Sequence, residues 1–107
     1  TPAEAERLAL LAEECAEVIQ VIAKIQRHGF DSAHPDYGNV PNRRLLENEL
    51  GNVLAAADLL VGADDVLEQG IEEGRVAKHM KVHRFFHHQM LPKPGTWAHE
   101  ASLGAQK

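Results

Sequence analysis

Residues 11–29, LAEECAEVIQVIAKIQRHG, carry the pattern that decides the fold. Leu11, Cys15, Val18, Ile22 and Ile25, preceded by Leu8, recur three and four residues apart and are joined by Ala12 and Ile19. That spacing gathers them on one side of an α-helix, expected to run to about Arg27 and to end at Gly29. Upstream, Thr1-Pro2-Ala3-Glu4 reads as a capping box with proline at the first helical position.

Downstream, residues 29–42 (GFDSAHPDYGNVPN) are rich in glycine, proline and small polar residues. They predict a loop of the length used for lids and binding segments. Asn42 is the expected N-cap of a second helix. Its apolar set is Leu46, Leu50, Val53, Leu54, Ala57, Leu60 and Val61, with Gly62 as its stop. Asp64 and Asp65 are expected to open a third segment, with acids at its start and bases towards its end, as the helix dipole favours. Gly70 and Gly74 weaken that helix or divide it in two. Residues 90–107 have two prolines and no periodicity, so they are expected to be an arm or a disordered tail to a helical domain over 1–89. No strand pattern is visible. The expected fold class is all-α, a small helix bundle completed by oligomerisation.

Composition narrows the functions open to such a bundle. At 107 residues the chain is large enough for one domain, and its net charge of −5 and pI near 5.7 argue against a nucleic-acid-binding surface, which would normally show a basic stripe. Cys15 is the single cysteine, so an intramolecular disulfide is excluded and a reducing compartment fits. The apolar runs are too short to cross a bilayer and the N-terminus carries no secretory pattern, which points to a cytoplasmic protein.

The chemistry lies in two acidic pairs. Each helical residue turns by about 100°, so with Glu14 at zero the apolar set of the first helix spans roughly 20° to 120° and Glu17 falls at about 300°. With Glu49 at zero the second helix repeats the arrangement, and Asn52 falls at about 300°. Both helices therefore place a carboxylate on the margin of the apolar stripe and a second oxygen ligand one turn on. Packed together, they bring Glu14, Glu17, Glu49 and Asn52 to a shared crevice, with Glu13 and Glu47 adding negative charge. Like charges so gathered repel unless a cation neutralises them. A di-iron bundle needs Glu-x-x-His pairs, which this chain lacks, so oxygen ligation of Mg²⁺ or Mn²⁺ is the expectation.

The stretch LAEECAEVIQVIAKIQRHG, followed by NRRLLENELGNVLAAADLL over 42–60 and KHMKVHRF over 78–85, resembles the MazG-like all-α nucleoside triphosphate pyrophosphohydrolases. The likeness is to their short single-domain versions and covers roughly residues 8 to 86. In that family an E-E-x-x-E helix is followed by an E-x-x-D helix whose acids hold Mg²⁺ against substrate phosphates. Glu13, Glu14 and Glu17 match the first motif and Glu49 begins the second, while Asn52 stands where the family has aspartate. The resemblance implies cleavage of a (d)NTP between the α- and β-phosphates, giving the monophosphate and pyrophosphate. It implies Glu13 or Glu14 activating the water, and Glu14, Glu17, Glu49 and Asn52 at the metal. Lys78, Lys81 and Arg84, with Arg27 as a further candidate, would meet the phosphates of the nucleotide, and Phe30 or Tyr37 would stack on its base. The expected assembly is a homodimer or homotetramer in which a second chain lends bases from its third helix. Because an amide brings no charge and cannot act as a base, a second reading stays open: a weakened or inactive nucleotide-binding or helical interaction module.

Other signals read more simply. His79, His83 and His87 recur every four residues, with His88 adjoining, as a solvated or interface face more readily than a Zn²⁺ site. Cys15 falls inside the apolar stripe and is expected to be a small buried hydrophobe. Trp97 is expected either to dock on a partner or to lie in a disordered arm.

Overall fold

A computed structural model describes residues 1–82 and 84–89. They form three helices, α1 (Pro2–His28), α2 (Asn42–Gly62) and α3 (Glu68–Val82), and a 3₁₀ turn over Pro35–Tyr37. An isolated bridge between Ala33 and Pro41 is the one β-type pairing among the described residues. The all-α class follows. The chain divides into two compact units, the first Thr1–Asp65 and the second opening at Val66. His83 and residues 90–107, Trp97 among them, lie outside the described residues, and so do the expectations placed on them.

In the first unit α1 begins where the capping box places it. Thr1 Oγ1 accepts from the Glu4 amide at 3.2 Å, and the Glu4 carboxylate accepts from the backbone of Thr1. Its C-terminus is closed by Gly29, whose φ of 93° suits a residue without a Cβ and whose amide donates to the Ile25 carbonyl at 2.7 Å.

Asn42 is not the N-cap of α2. Pro41 holds that position and has no side chain able to accept a bond, so the loop carbonyls serve instead. Asn42 N donates to the Ser32 carbonyl at 2.9 Å and Arg43 N to that of Phe30 at 2.7 Å, satisfying donors a helix start leaves open. The Asn42 side chain is itself buried, and its Nδ2 donates to the Gly29 carbonyl at 3.1 Å, tying the end of α1 to the start of α2. At the other end Arg7 of α1 grips Asp65 through two parallel bonds, Nε to Oδ2 and Nη2 to Oδ1, the latter at 3.0 Å. The two ties make α1 and α2 an antiparallel hairpin. Asp65 therefore belongs to the hairpin, and neither it nor Asp64 (φ 61°) opens the third helix. That helix starts at Glu68 and runs unbroken through Gly70 and Gly74.

The packed seam between α1 and α2 is narrow: Val21, Ala56 and Leu60 are buried apolar side chains. Much of the predicted stripe lies beside it and stays in solvent, including Leu8, Ile19, Ile22, Leu50 and Leu54. Cys15 is exposed too, correcting the expectation of burial, because it shares that outer flank. In the second unit α3 ends at Val82, so His79 and His87 do not share a helical face. No helix among the described residues is long and apolar enough to cross a membrane.

Candidate metal-binding site

Re-centring the helices on what is buried moves the acids. With Glu14 at zero, Val21 falls at about −20° and Ile25 at about 20°; with Glu49 at zero, Ala56 falls at about −20° and Leu60 at about 20°. Glu14 and Glu49 thus lie in the middle of the faces that α1 and α2 turn to one another, not on the margin. Both are half-buried, as is Glu17. One oxygen from each of Glu14, Glu17 and Glu49 lies within 4.8 Å of the other two.

The electrostatics are those of carboxylates held too close. The Glu17 carboxyl is pushed up from 4.5 to about 7, first by its hydrogen bond with Glu49 and next by the charge of Glu14. A proton on Glu17 lets the pair share a bond that two carboxylates could not make. Glu14 is bonded to Glu17 as a smaller contribution, but its Oε2 is buried and has no hydrogen-bond partner. A buried anionic oxygen without a donor carries the full cost of lost hydration. Hard cations take oxygen ligands, and such an ion among these three groups would replace the shared proton and supply the missing partner.

The remaining site candidates fall outside this group of three. Asn52 lies beside the cluster but exposed, its Nδ2 donating to Glu49 Oε2 at 3.4 Å, so it presents its amide nitrogen to the acids. Glu13 is exposed and outside the group of three. Arg27 is two turns or more along α1, lining a depression beside the loop. Lys78 and Lys81 are exposed on α3 and Arg84 is exposed beyond its end, all three in the second unit. Phe30 and Tyr37 each have one ring face taken by a cation of the chain itself. Arg43 lies 4.7 Å from the centre of the Phe30 ring, and Lys24 Nζ lies 3.8 Å from that of Tyr37. Reasoning from sequence missed Lys24 because it read as an ordinary polar position of α1.

No family model matches the chain, and neither does any curated protein or solved structure. The functional reading therefore rests on the residues and their geometry.

Proposed function

We propose that this chain is a nucleoside triphosphate pyrophosphohydrolase dependent on Mg²⁺ or Mn²⁺, cleaving a (d)NTP to the monophosphate and pyrophosphate. The observation that carries the reading is the acidic seam. Two helices bring Glu14, Glu17 and Glu49 within 4.8 Å of one another, and Glu14 Oε2 is left buried without a donor. These three residues would hold the cation, with Asn52 contributing its amide oxygen after a turn of the side chain. The cation would supply charge neutralisation at the leaving pyrophosphate. Glu13, exposed on the flank beside the cluster, has the freedom to orient the attacking water. Lys78, Lys81 and Arg84, lent by a second copy, would offset phosphate charge. The exposed apolar flank of the hairpin supports oligomerisation, because solvent-facing Leu8, Ile19, Leu50 and Leu54 are surface that a second copy can cover.

One observation favours the second reading, a nucleotide-binding module without turnover. Asn52 stands in place of a fourth carboxylate with an uncharged amide and donates to Glu49, so it satisfies one acceptor of the cluster and adds no negative charge for a metal.

The test is a panel of ribo- and deoxyribonucleoside triphosphates with Mg²⁺ or Mn²⁺, scoring monophosphate and pyrophosphate, run beside Glu49→Gln and Asn52→Asp. Turnover by the native chain that Glu49→Gln abolishes supports the enzyme. Metal-dependent nucleotide binding without turnover, rescued by Asn52→Asp, supports the inactive module. No binding and no turnover in either would sink both readings.

A further inference from the structure

The loop end of the hairpin carries a different kind of site. Lys24, Arg27, His28, Ser32, His34 and Tyr37 line a depression of about 220 Å³, floored by the buried Asn42. No carboxylate lines it, although its surroundings are acidic: residues 1–65 hold twelve Asp and Glu against five Lys and Arg. The pairing of those five cations singles the depression out. Arg7 is held by Asp65, Arg43 by Asp31 and Arg44 by Glu47. Lys24 and Arg27 have no carboxylate partner among the described residues, and both line this one depression. Lys24 is positioned by the Tyr37 ring, 3.8 Å from Nζ to its centre, which fixes the ammonium without neutralising it.

We infer that this depression is a binding site for a small phosphate-class anion, independent of the acidic seam and needing no metal. A phosphate monoester carries close to two negative charges near neutral pH and several acceptor oxygens. Arg27 presents a planar fork of donors, Lys24 a point charge, and Ser32 a hydroxyl, which together match a tetrahedral oxyanion. The ring of Tyr37 forms one wall and is half-exposed, so an ester group on the phosphate has an apolar surface to lie along. The acidic seam and this depression share α1 but not charge: Lys24 follows Glu17 by seven residues, about 10 Å along the helix axis. A cation at one and an anion at the other would bind without competing.

The experiment uses the full chain with EDTA present, following backbone amide signals while inorganic phosphate and, separately, adenosine monophosphate are added at constant ionic strength. The site predicts saturable shifts confined to residues 24–42. It also predicts at least a tenfold weaker response in the Lys24→Ala/Arg27→Ala double variant and an unchanged one in Glu17→Gln. Neither Lys24 nor Arg27 holds an ion pair, so the double variant loses only the Lys24–Tyr37 ring contact and is expected to stay folded, which a melt confirms. Tighter binding of the monophosphate assigns the site to the phosphate of a nucleotide or similar ester, and equal binding assigns it to free phosphate or pyrophosphate. Shifts that are absent, that spread evenly over the chain, or that survive in the double variant overturn the inference. Because Glu17→Gln and EDTA remove the cation, failure here leaves the pyrophosphohydrolase reading standing, and the reverse holds.

Discussion

Binding of a divalent cation to the acidic seam should depend on pH in a way that ordinary glutamates do not produce. The Glu17 carboxyl, raised to about 7 by Glu49 and Glu14, must lose its proton before all three groups can ligate. At pH 6 it is roughly nine-tenths protonated and at pH 8 roughly one-tenth, so an ion should release about 0.9 and 0.1 of a proton respectively. The apparent affinity should therefore be about tenfold weaker at pH 6 than at pH 8, whereas a glutamate with an unshifted carboxyl would change it by only a few per cent. Titration calorimetry with Mn²⁺ in buffers of different ionisation enthalpy reads both quantities. Glu17→Gln should abolish proton release and weaken binding at every pH. An affinity that changes less than about twofold between pH 6 and 8 would refute the argument, because the shared proton would then not be where metal binds. The metal-free protein gives an independent check on sign. Between pH 4.5 and about 7 the native chain keeps the Glu17 proton while the unfolded chain gives it up, so stability should fall as pH rises through that window. The slope should be missing in Glu17→Gln, and saturating Mn²⁺ should oppose it.

Three further outcomes follow from the hairpin. Asn42→Ala removes the Nδ2 bond to Gly29 and leaves a carbonyl without its partner; unfolding should become easier by about 1–3 kcal/mol, with faster amide exchange over residues 29–41. Asp65→Asn breaks the paired bonds from Arg7 and should lower the melting temperature by roughly 5 °C near neutral pH. Arg7 holds the Asp65 carboxyl below its ordinary 3.8, so that stabilisation is present above 3.8 and the gap between wild type and Asp65→Asn should close as pH falls further. Ile19→Glu with Leu54→Glu places charge on side chains that are 67% and 60% exposed in the single chain. Sedimentation should show a smaller species than the wild type, and an unchanged mass would mean that this flank is not an interface.

Much of the fold could be read from the chain, and the part that could not has a common physical cause. The capping box at Thr1, the stop at Gly29 and the end of α2 at Gly62 are local events governed by backbone donors within a few residues. Asn42 was misread because its side chain could cap locally or reach across to Gly29, and a sequence does not show the distant carbonyl. Asp65 was misread for the same reason, its partner Arg7 lying fifty-eight positions away. The acidic pairs were legible as pairs, but their setting was shifted. Periodicity averages every apolar residue on a helix, and here Leu8, Cys15, Ile19 and Ile22 on α1 and Leu50 and Leu54 on α2 belong to an exposed flank. Adding that flank to the true seam turned the inferred centre by several tens of degrees and left Glu14 and Glu49 on its edge.

Glu14 and Glu49 are costlier in the middle of the packed face than they would be on its rim. A carboxylate on the rim of a core can turn to water, and a charge there costs little. Glu14 in the middle of the α1–α2 face cannot do so with Oε2, which is buried and unpartnered, while Glu17 yields its charge to Glu49 through a shared proton. An apolar residue at position 14 would extend the seam formed by Val21, Ala56 and Leu60 and remove the repulsion, so the acids weaken the hairpin they sit in. The same-sense rotation of two antiparallel helices puts exposed Leu8, Ile19 and Ile22 of α1 and Leu50 and Leu54 of α2 on one side of the hairpin. Glu13, Glu17 and Asn52 fall on the other. A second copy covering the apolar side would leave the acidic side open to solvent and to a ligand, so assembly and chemistry need not compete for one surface.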